Sequence, residues 1–368
     1  MSPEERIAPI DILRGVALFG VMAVNVVTGF RVSIFQQFVP TFEALTIFDR
    51  VTGAFVSQAL ELKAYALFSL LFGVGLAIQF ERLAPGGRPF YRLARRLAVL
   101  FVFGVVHMLF LWNGDILTEY AIAGFLVLPF LRAPRWLLGW LCFGLLVFYA
   151  VLPLMGLVHW PETEAFRRQV DEANRVYATG GFGEIWRFAL AETPLVVPLH
   201  EFMFARTVGL FLLGVLAWRS GMFTGLERIR SQLAIAAVAG IFAGAAMTAM
   251  DGAAGRIGTV VLALGYASVV LLLTQLPRIG RTLMVFAPTG KMAFTNYIMQ
   301  SLVFSAIFFG WGLGLFGKLG AAAALLIGVV VYVAQVIISA WWLGRFRYGP
   351  LEWLWRTLMY GKRQPMRA

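Results

Sequence analysis

The chain has 368 residues, of which 60% are apolar and 14% charged, and it carries a formal net charge of +12. This composition excludes a soluble globular protein, in which about 25% of residues are charged, and a disordered chain, which needs more polarity; it indicates an integral membrane protein. We expect no nucleic-acid partner, because basic cytoplasmic loops explain the positive charge. We also expect no disulfide, because Cys142 is the only cysteine, and no metal site, because the histidines lack the spacing of metal ligands.

Apolar runs along the chain predict the membrane-spanning helices. Such a helix needs about 17–25 predominantly apolar residues, and the alternation typical of membrane β-barrels is absent from the sequence. We therefore predict an all-α, polytopic membrane bundle of about ten transmembrane helices in a single domain, 1–368. The predicted spans are, in chain order, 15–31, 62–80, 97–113, 118–131 (which is short), 136–158, 201–219, 232–250, 257–276, 286–309 and 320–343.

The basic residues predict the orientation of the bundle. Most of the 31 Lys and Arg residues lie in segments on the same side as the N-terminus, and segments rich in these residues face the cytoplasm. Both termini are therefore predicted to be cytoplasmic, in agreement with an even number of spans. The first apolar run lacks a signal-peptide cleavage site, so we expect it to be retained as a span.

Two segments outside the spans are predicted to form amphipathic helices. Segment 159–200 mixes acidic and basic residues on the external side. At about 40 residues it is too short for a separate domain, so we expect short helices that cap the external mouth. Segment 345–368 has Pro350 at a favourable helix start and Glu352 and Arg356 at an i,i+4 spacing. It predicts a cytoplasmic interfacial helix, or alternatively a docking surface for an anionic cofactor.

Three polar residues are candidates for catalysis, because ionisable and amide groups inside a membrane are costly unless they serve a function. Asn25 and His107 lie past the middle of their spans, and Asp115 follows at the next external turn. If they converge, Asp115 would orient His107 as a general base. The alternatives are that His107 bridges two helices, that Asn25 is a helix–helix contact and that Asp115 caps the next helix.

Other polar residues are candidates for substrate binding. Lys63 opens the second span, where it would snorkel to the surface or bind an anionic substrate. Asn296 and Gln300 share one helix face, and they would line a polar cavity or bind a neighbouring helix. The sixth span opens with His200, Glu201 and Arg206, and a local pair between Glu201 and Arg206 is favoured over a catalytic role.

Five motifs are spread over nearly the whole chain. They are Asp11-Ile12-Leu13-Arg14-Gly15 with Asn25; Lys63 with Leu67-Phe68-Ser69-Leu70-Leu71-Phe72-Gly73; His107 with Trp112-Asn113-Gly114-Asp115-Ile116-Leu117; Gly290 to Tyr297 with Gln300; and Gly349-Pro350-Leu351-Glu352-Trp353-Leu354-Trp355-Arg356. In these motifs the chain resembles the YeiB-like family of bacterial inner-membrane proteins, whose C-terminal half is a domain of unknown function. The resemblance implies a multi-pass protein of the bacterial inner membrane. The chain departs mildly from the family at Lys291 and Phe294.

The YeiB-like family in turn is similar to transmembrane acyltransferases such as lysosomal heparan-alpha-glucosaminide N-acetyltransferase. The shared feature is an Asp-x-x-Arg-Gly pattern with a later Asn, here Asp11, Arg14, Gly15 and Asn25. The resemblance implies that acyl-CoA enters from the cytosol and that an acceptor is acylated on the far side. The enzyme has a catalytic histidine soon after that Asn, whereas this chain has no histidine between Asn25 and His107.

We therefore expect a membrane acyltransferase with acyl-CoA as co-substrate and a small-molecule or glycan acceptor. His107 with Asp115 would deprotonate the acceptor, and Asn25 would stabilise the oxyanion. The CoA phosphates would bind to arginines, although the positive-inside rule alone also explains these residues. The arginines are Arg14, Arg88, Arg92, Arg95 and Arg96. The alternatives are a transporter or flippase of a small or lipidic solute, and a non-catalytic scaffold; membrane lipids and a second copy of the chain are compatible partners in each case.

Overall fold

The computed structural model describes residues 8–39, 46–157 and 162–367, and within them the chain is helical without a named strand. The first three residues of the predicted loop 159–200 thus lie outside the described residues. The helices are α1 (Ala8–Asn25), α2 (Ile47–Phe55), α3 (Lys63–Leu83), α4 (Pro89–Phe110), α5 (Leu117–Val127), α6 (Arg135–Val151), α7 (Thr163–Thr179), α8 (Phe182–Arg219), α9 (Arg230–Thr248), α10 (Gly252–Thr274), α11 (Pro277–Leu283), α12 (Ala287–Lys291), α13 (Ala293–Phe308), α14 (Ala321–Leu343) and α15 (Pro350–Tyr360).

Eight helical segments in the described part of the chain are long and apolar enough to cross a membrane. This confirms the prediction of an all-α membrane bundle, while two of the ten predicted spans fall short of that length. The fourth, 118–131, is the 11-residue α5 followed by a 3₁₀ turn, Leu128–Arg132. The ninth, 286–309, is divided at Met292 into α12 and the 16-residue α13. Both departures occur beside the candidate site described below.

The predicted external segment differs from the expectation of short helices. Its first part is α7, whose apolar side buries Phe166, Val170 and Tyr177. Its second part is the beginning of α8, which runs for 38 residues through Pro194 and Pro198 without a break. Prolines are tolerated in membrane helices because neighbouring helices satisfy the freed backbone groups, so the segment joins the sixth span in a single helix.

Close helix packing forms the centre of the bundle. Gly73 of α3 lies against the backbone of Phe211 in α8, and Gly214 of α8 lies against that of Leu70, so that a Cβ at either glycine would overlap a carbonyl oxygen. Small residues allow such approaches in membrane proteins. Gly290 of α12 is pressed in the same way against Asp11 of α1. Helices α1 and α3 line both of the cavities described below, and α8 lines the outer one.

The predicted orientation can be tested by cysteine labelling. In a Cys142→Ala background, we expect Glu172→Cys on α7 to react with a membrane-impermeant maleimide in intact cells, because Glu172 is exposed on the side predicted to be external. Arg228→Cys, exposed near the start of α9, should react only after permeabilisation. The opposite labelling pattern would invert the orientation inferred from the basic residues.

Candidate functional site

An irregular loop, Leu111–Ile116, is buried within the bundle between α4 and α5. Asn113 is 2% exposed and Asp115 is 1% exposed. Non-helical backbone is tolerated at membrane depth only where protein or a water-filled cavity surrounds it. Asn113 Nδ2 donates to Glu192 Oε2 of α8 at 2.6 Å, and the Thr118 backbone N–H donates to Asp115 Oδ2 at 2.7 Å. Asp115 therefore caps α5, as one of its two predicted readings states.

Asp115 also contacts His107, which is the geometry that its second predicted reading requires. Its Oδ1 lies 2.8 Å from His107 Nδ1, and the Nε2 of the same ring lies 2.8 Å from Ser301 Oγ on α13. His107 is 1% exposed and borders neither of the two cavities described below. The sequence did not single out Ser301, which is 194 residues from His107. The hydrogen bonds between Asp115 and His107 and between His107 and Ser301 fasten the buried loop to α4 and α13.

The expected convergence of three residues is only partly met. Asn25 accepts a hydrogen bond from the Tyr65 hydroxyl. It forms no hydrogen bond with His107 or Asp115 in the described structure, and it lines a different space. Helix α1 places it there, since its last turn lies beside α3. The predicted cluster therefore divides into a buried His107–Asp115 pair and a separate, cavity-lining Asn25.

The outer cavity lies at the end of the bundle predicted to be external and has a volume of about 340 Å³. His200 Nδ1 lies 2.8 Å from Glu119 Oε2, and the Thr207 hydroxyl donates to the other carboxylate oxygen at 2.6 Å. The His200 side chain is 31% exposed, so a molecule in the cavity can reach it. The principal polar residues of the wall are Asn25, Glu61, Tyr65, Glu119, His200 and Arg206.

The pairing expected at the start of the sixth span is not formed. Glu201 is exposed, whereas Arg206 is 2% exposed and lines the outer cavity. Five residues rotate a helix well past one full turn, so the two side chains leave α8 in different directions. The functional candidate of this region is instead His200. Its pairing with Glu119 escaped sequence analysis because the two residues are 81 positions apart.

The inner cavity lies at the end that carries the termini and has a volume of about 210 Å³. Four basic residues line it, together with the carboxylate of Glu352; they are Arg14, Arg96, Lys291 and Arg356. Arg14 pairs with Asp11 at 3.1 Å. The Arg96 guanidinium lies 3.6 Å from the centre of a Trp355 ring, whose Nε1 donates to the Arg96 carbonyl at 2.8 Å. The cavity thus offers several cations to an anionic ligand.

Only two of the five arginines predicted to bind a cofactor line this cavity. Arg14 and Arg96 do, whereas Arg88, Arg92 and Arg95 do not. Arg88 and Arg95 are exposed on the inner surface. Their position is the one that the positive-inside rule alone explains.

One wall separates the two cavities. Ile116 and Tyr120 line both of them. The Tyr120 hydroxyl lies 2.7 Å from Ser69 Oγ and donates to the Tyr65 carbonyl at 3.3 Å. The buried loop that ends at Ile116 therefore places α5 where it divides the interior into an inner and an outer space.

The C-terminal helix α15 forms part of the inner cavity. Glu352 accepts hydrogen bonds from the backbone N–H groups of Phe294 and Thr295 at 2.9 and 3.0 Å, which caps the start of α13. Burial raises the pKa of Glu352 above its ordinary value, while the hydrogen bonds from Thr295 oppose this shift. Trp355 is 7% exposed. The tail is therefore docked on the protein and is not solely an interfacial helix.

The remaining substrate-binding candidates have partners within the protein. Asn296 donates to Ser339 Oγ at 3.0 Å, and Gln300 donates to Gln335 Oε1 at 2.8 Å. Both partners lie on α14, so of the two predicted readings the structure supports contact with a neighbouring helix. Lys63 is 3% exposed, which excludes the favoured expectation that it snorkels. Its Nζ lies 3.5 Å from the carbonyl of Ser57.

Comparison with known proteins gives the family. A family model described as "protein of unknown function (DUF418)" matches residues 217–362. The chain is 33% identical to the uncharacterized protein YxaH of Bacillus subtilis (strain 168), over 98% of this chain and 96% of the relative. It is 29% identical to the uncharacterized protein YeiB of Escherichia coli (strain K12), over 96% of both chains. The chain belongs to the YeiB-like family.

A third relative of the YeiB-like chain is the "uncharacterized 39.9 kDa protein in amylase 3'region" of Bacillus acidopullulyticus. It is 30% identical, over 99% of this chain and 96% of its own length. The region matched by the family model includes Lys291 and Arg356 of the inner cavity. Glu119 and His200 of the outer cavity lie before that region, within the part aligned to the full-length relatives.

The separate roles of the two histidines can be tested by their stability. His107→Ala would leave Asp115 and Ser301 without their shared partner, and a buried unsatisfied polar group costs about 1–3 kcal/mol. We expect a clear decrease in the melting temperature of the detergent-solubilised protein. The matched variant His200→Ala should change it less, because His200 is partly exposed. An equal decrease for both variants would contradict the assignment of His107 to the structural framework.

Proposed function

We propose that this protein is a transmembrane acyltransferase, which moves an acyl group from acyl-CoA in the inner cavity to an acceptor in the outer cavity. The proposal depends on one observation. A cavity lined by four basic residues and a cavity that contains a His–Glu pair approach each other from opposite ends and share the wall formed by Ile116 and Tyr120. A donor and an acceptor bound on either side of this wall would meet without either crossing the membrane.

The inner cavity is suited to the donor. Arginine binds phosphate through the planar fork of its guanidinium group, and lysine binds it as a point charge. Arg14, Arg96, Lys291 and Arg356 would hold the CoA phosphates. Beyond them the wall becomes apolar toward Tyr120, with Phe68, Phe72 and Leu100. The uncharged arm of acyl-CoA would follow this surface and carry the thioester to the shared wall.

The outer cavity supplies the groups that the reaction needs. His200 would take the proton from the acceptor hydroxyl or amine, and Glu119 would hold the imidazole and stabilise its charged form. As His200 accepts the proton, the acceptor oxygen or nitrogen would attack the thioester carbonyl. The C–S bond would then break, and protonated His200 would return the proton to the leaving CoA thiolate. In this proposal the base is His200 rather than His107, because His200 lines a cavity.

Asn25 keeps its predicted role as an oxyanion donor. Its side-chain oxygen accepts from Tyr65, and its Nδ2 donates to no residue in the described parts of the chain. This amide therefore retains the N–H groups with which it would stabilise the tetrahedral intermediate. Asn25 and His200 line the same cavity, so one acceptor could contact both.

A transporter is the second candidate, because the same two cavities open toward opposite ends of the bundle. Alternating access requires a binding space between two gates, and Tyr120 with its hydrogen bond to Ser69 would serve as one such gate. In that case a solute would pass the wall unchanged. Proteoliposomes supplied with labelled acetyl-CoA distinguish acyl transfer from transport of this molecule, since a transporter of acetyl-CoA would accumulate it intact.

Binding of the donor can be tested with a set of basic-residue variants. We expect acetyl-CoA and free CoA to raise the melting temperature of the solubilised protein in a saturable way, since a ligand of the native state stabilises it by mass action. Lys291→Gln and Arg356→Gln should weaken this shift. Arg88→Gln and Arg95→Gln remove the same charge outside the cavity and should not. The donor site would be refuted if millimolar CoA did not raise the melting temperature, or if the cavity variants and the control variants weakened the shift equally.

The catalytic base can be tested by the release of CoA thiol from acetyl-CoA in membranes of cells that produce the protein. We expect His200→Ala and Glu119→Gln to lower this rate by about 10²–10⁴-fold, the usual contribution of general acid–base catalysis. Both variants should still show the thermal shift with CoA, because neither residue lines the inner cavity. Wild-type turnover by His200→Ala would remove His200 from the mechanism.

A further inference from the structure

We propose that Arg206 binds an anionic group, a phosphate or a carboxylate, of the molecule that occupies the outer cavity. If the proposed acyl transfer is correct, this molecule is the acceptor, and the inference then names its chemical class. The anion site itself depends only on the surroundings of Arg206, so it can be tested separately from the transfer reaction.

Arg206 is a buried cation without an ionised partner. It is 2% exposed, and it lines the outer cavity. Its Nη1 donates a single hydrogen bond of 3.4 Å to the Leu62 carbonyl, and its Nε is buried without a partner. No carboxylate of the described chain forms a salt bridge with it, and its guanidinium carbon lies 5.6 Å from the centre of the Tyr149 ring. A guanidinium stays charged in proteins and has five N–H donors, so most of its capacity is unused.

The buried carboxylates in the described parts of the chain have their partners in place. Glu192, which is 1% exposed, accepts hydrogen bonds from Asn113, Tyr177 and Gln169. Glu119 is bound by both His200 and Thr207. A charge within a membrane is costly unless it is paired or serves a function. Arg206 departs from this pattern at the wall of a cavity, where a ligand can supply the missing partner.

The backbone beside Arg206 is also unusual. Leu62 has a φ of +64°, a conformation that is rare for a residue with a bulky side chain. Such residues cluster at ligand sites, where the surrounding structure enforces them. The Leu62 carbonyl accepts from Arg206, and Leu62 itself lines the outer cavity. The conformation thus anchors one edge of the guanidinium at this wall.

The spacing along α8 limits the size of the ligand. Arg206 follows His200 by six residues, which corresponds to about 9 Å along the helix axis, and both line the same cavity. A small molecule with an anionic group near one end and a hydroxyl or amine near the other would contact both residues. A soluble polyol phosphate and the headgroup of an anionic phospholipid share this chemistry.

The test uses glycerol 3-phosphate as the soluble probe and glycerol as its uncharged control. We expect glycerol 3-phosphate, but not glycerol, to raise the melting temperature of the solubilised protein in a saturable way. Arg206→Gln should weaken this binding about tenfold or more, the effect of losing a charged hydrogen bond. Arg206→Lys keeps the charge but loses the planar fork of the guanidinium, so it should bind with intermediate affinity. This variant replaces Arg206→Gln in the test if the Gln variant does not fold.

Two control variants locate the effect. Arg256→Gln alters an arginine near the same end of the bundle that also has an unpartnered nitrogen but lies outside the cavity, and Lys291→Gln alters the inner cavity. Both should retain the shift with glycerol 3-phosphate. The shift with CoA should remain in Arg206→Gln, which shows that the variant is folded. If CoA does not raise the melting temperature of the wild type but glycerol 3-phosphate does, the donor site is refuted and the anion site is not.

A second arm identifies a lipid source of the anion. In nanodiscs, phosphatidylglycerol added to phosphatidylcholine should raise the melting temperature in an Arg206-dependent way if the ligand is a headgroup. An Arg206-dependent shift with glycerol 3-phosphate alone indicates a soluble ligand. Two outcomes would overturn the proposal. One is that both glycerol 3-phosphate and phosphatidylglycerol raise the melting temperature of Arg206→Gln as much as that of the wild type, and the other is that neither of them raises the melting temperature of the wild type.

Discussion

Polar groups inside a membrane must find their partners within the protein, because hydrocarbon offers none. In this bundle that constraint explains most of the buried polar residues. His107 is held between Asp115 and Ser301, and Gln300 is held by Gln335. The contact between His107 and Ser301 connects α4 and α13, which are far apart in the sequence. The bond between Asp115 and His107 also fastens the buried loop Leu111–Ile116 to α4.

Because of this constraint, the polar groups that could still bind a ligand are of special interest. His200 is half of a satisfied pair, yet its ring is partly exposed to a cavity. Arg206 lines that cavity with most of its donors unused. In the inner cavity, four basic residues face one carboxylate, which is already used to cap α13. The two cavities therefore carry different chemistry, cationic at the inner end and a histidine–carboxylate pair with a buried arginine at the outer end.

The division of the interior follows from a short helix. Because the loop before α5 is buried, α5 begins inside the bundle and places Ile116 and Tyr120 between the cavities. A full-length span at this position would instead have placed its first turn at the surface. The interruption at Met292 has a related effect, since it creates a helix start that Glu352 of α15 caps beside the inner cavity. Irregular backbone thus occurs where the protein builds its candidate site.

The sequence by itself determined the fold class, because apolar runs in a chain with 14% charged residues are stable only in a membrane. It also raised a contact between His107 and Asp115 as one alternative, since only a short turn separates them, and its motifs predicted the family. The tertiary structure alone decided which residues face a cavity. Glu119 and His200 are 81 residues apart, and the helix rotations that admit Arg96 but exclude Arg95 depend on packing against α15. Long-range packing sets these rotations, and no local pattern in the sequence encodes them.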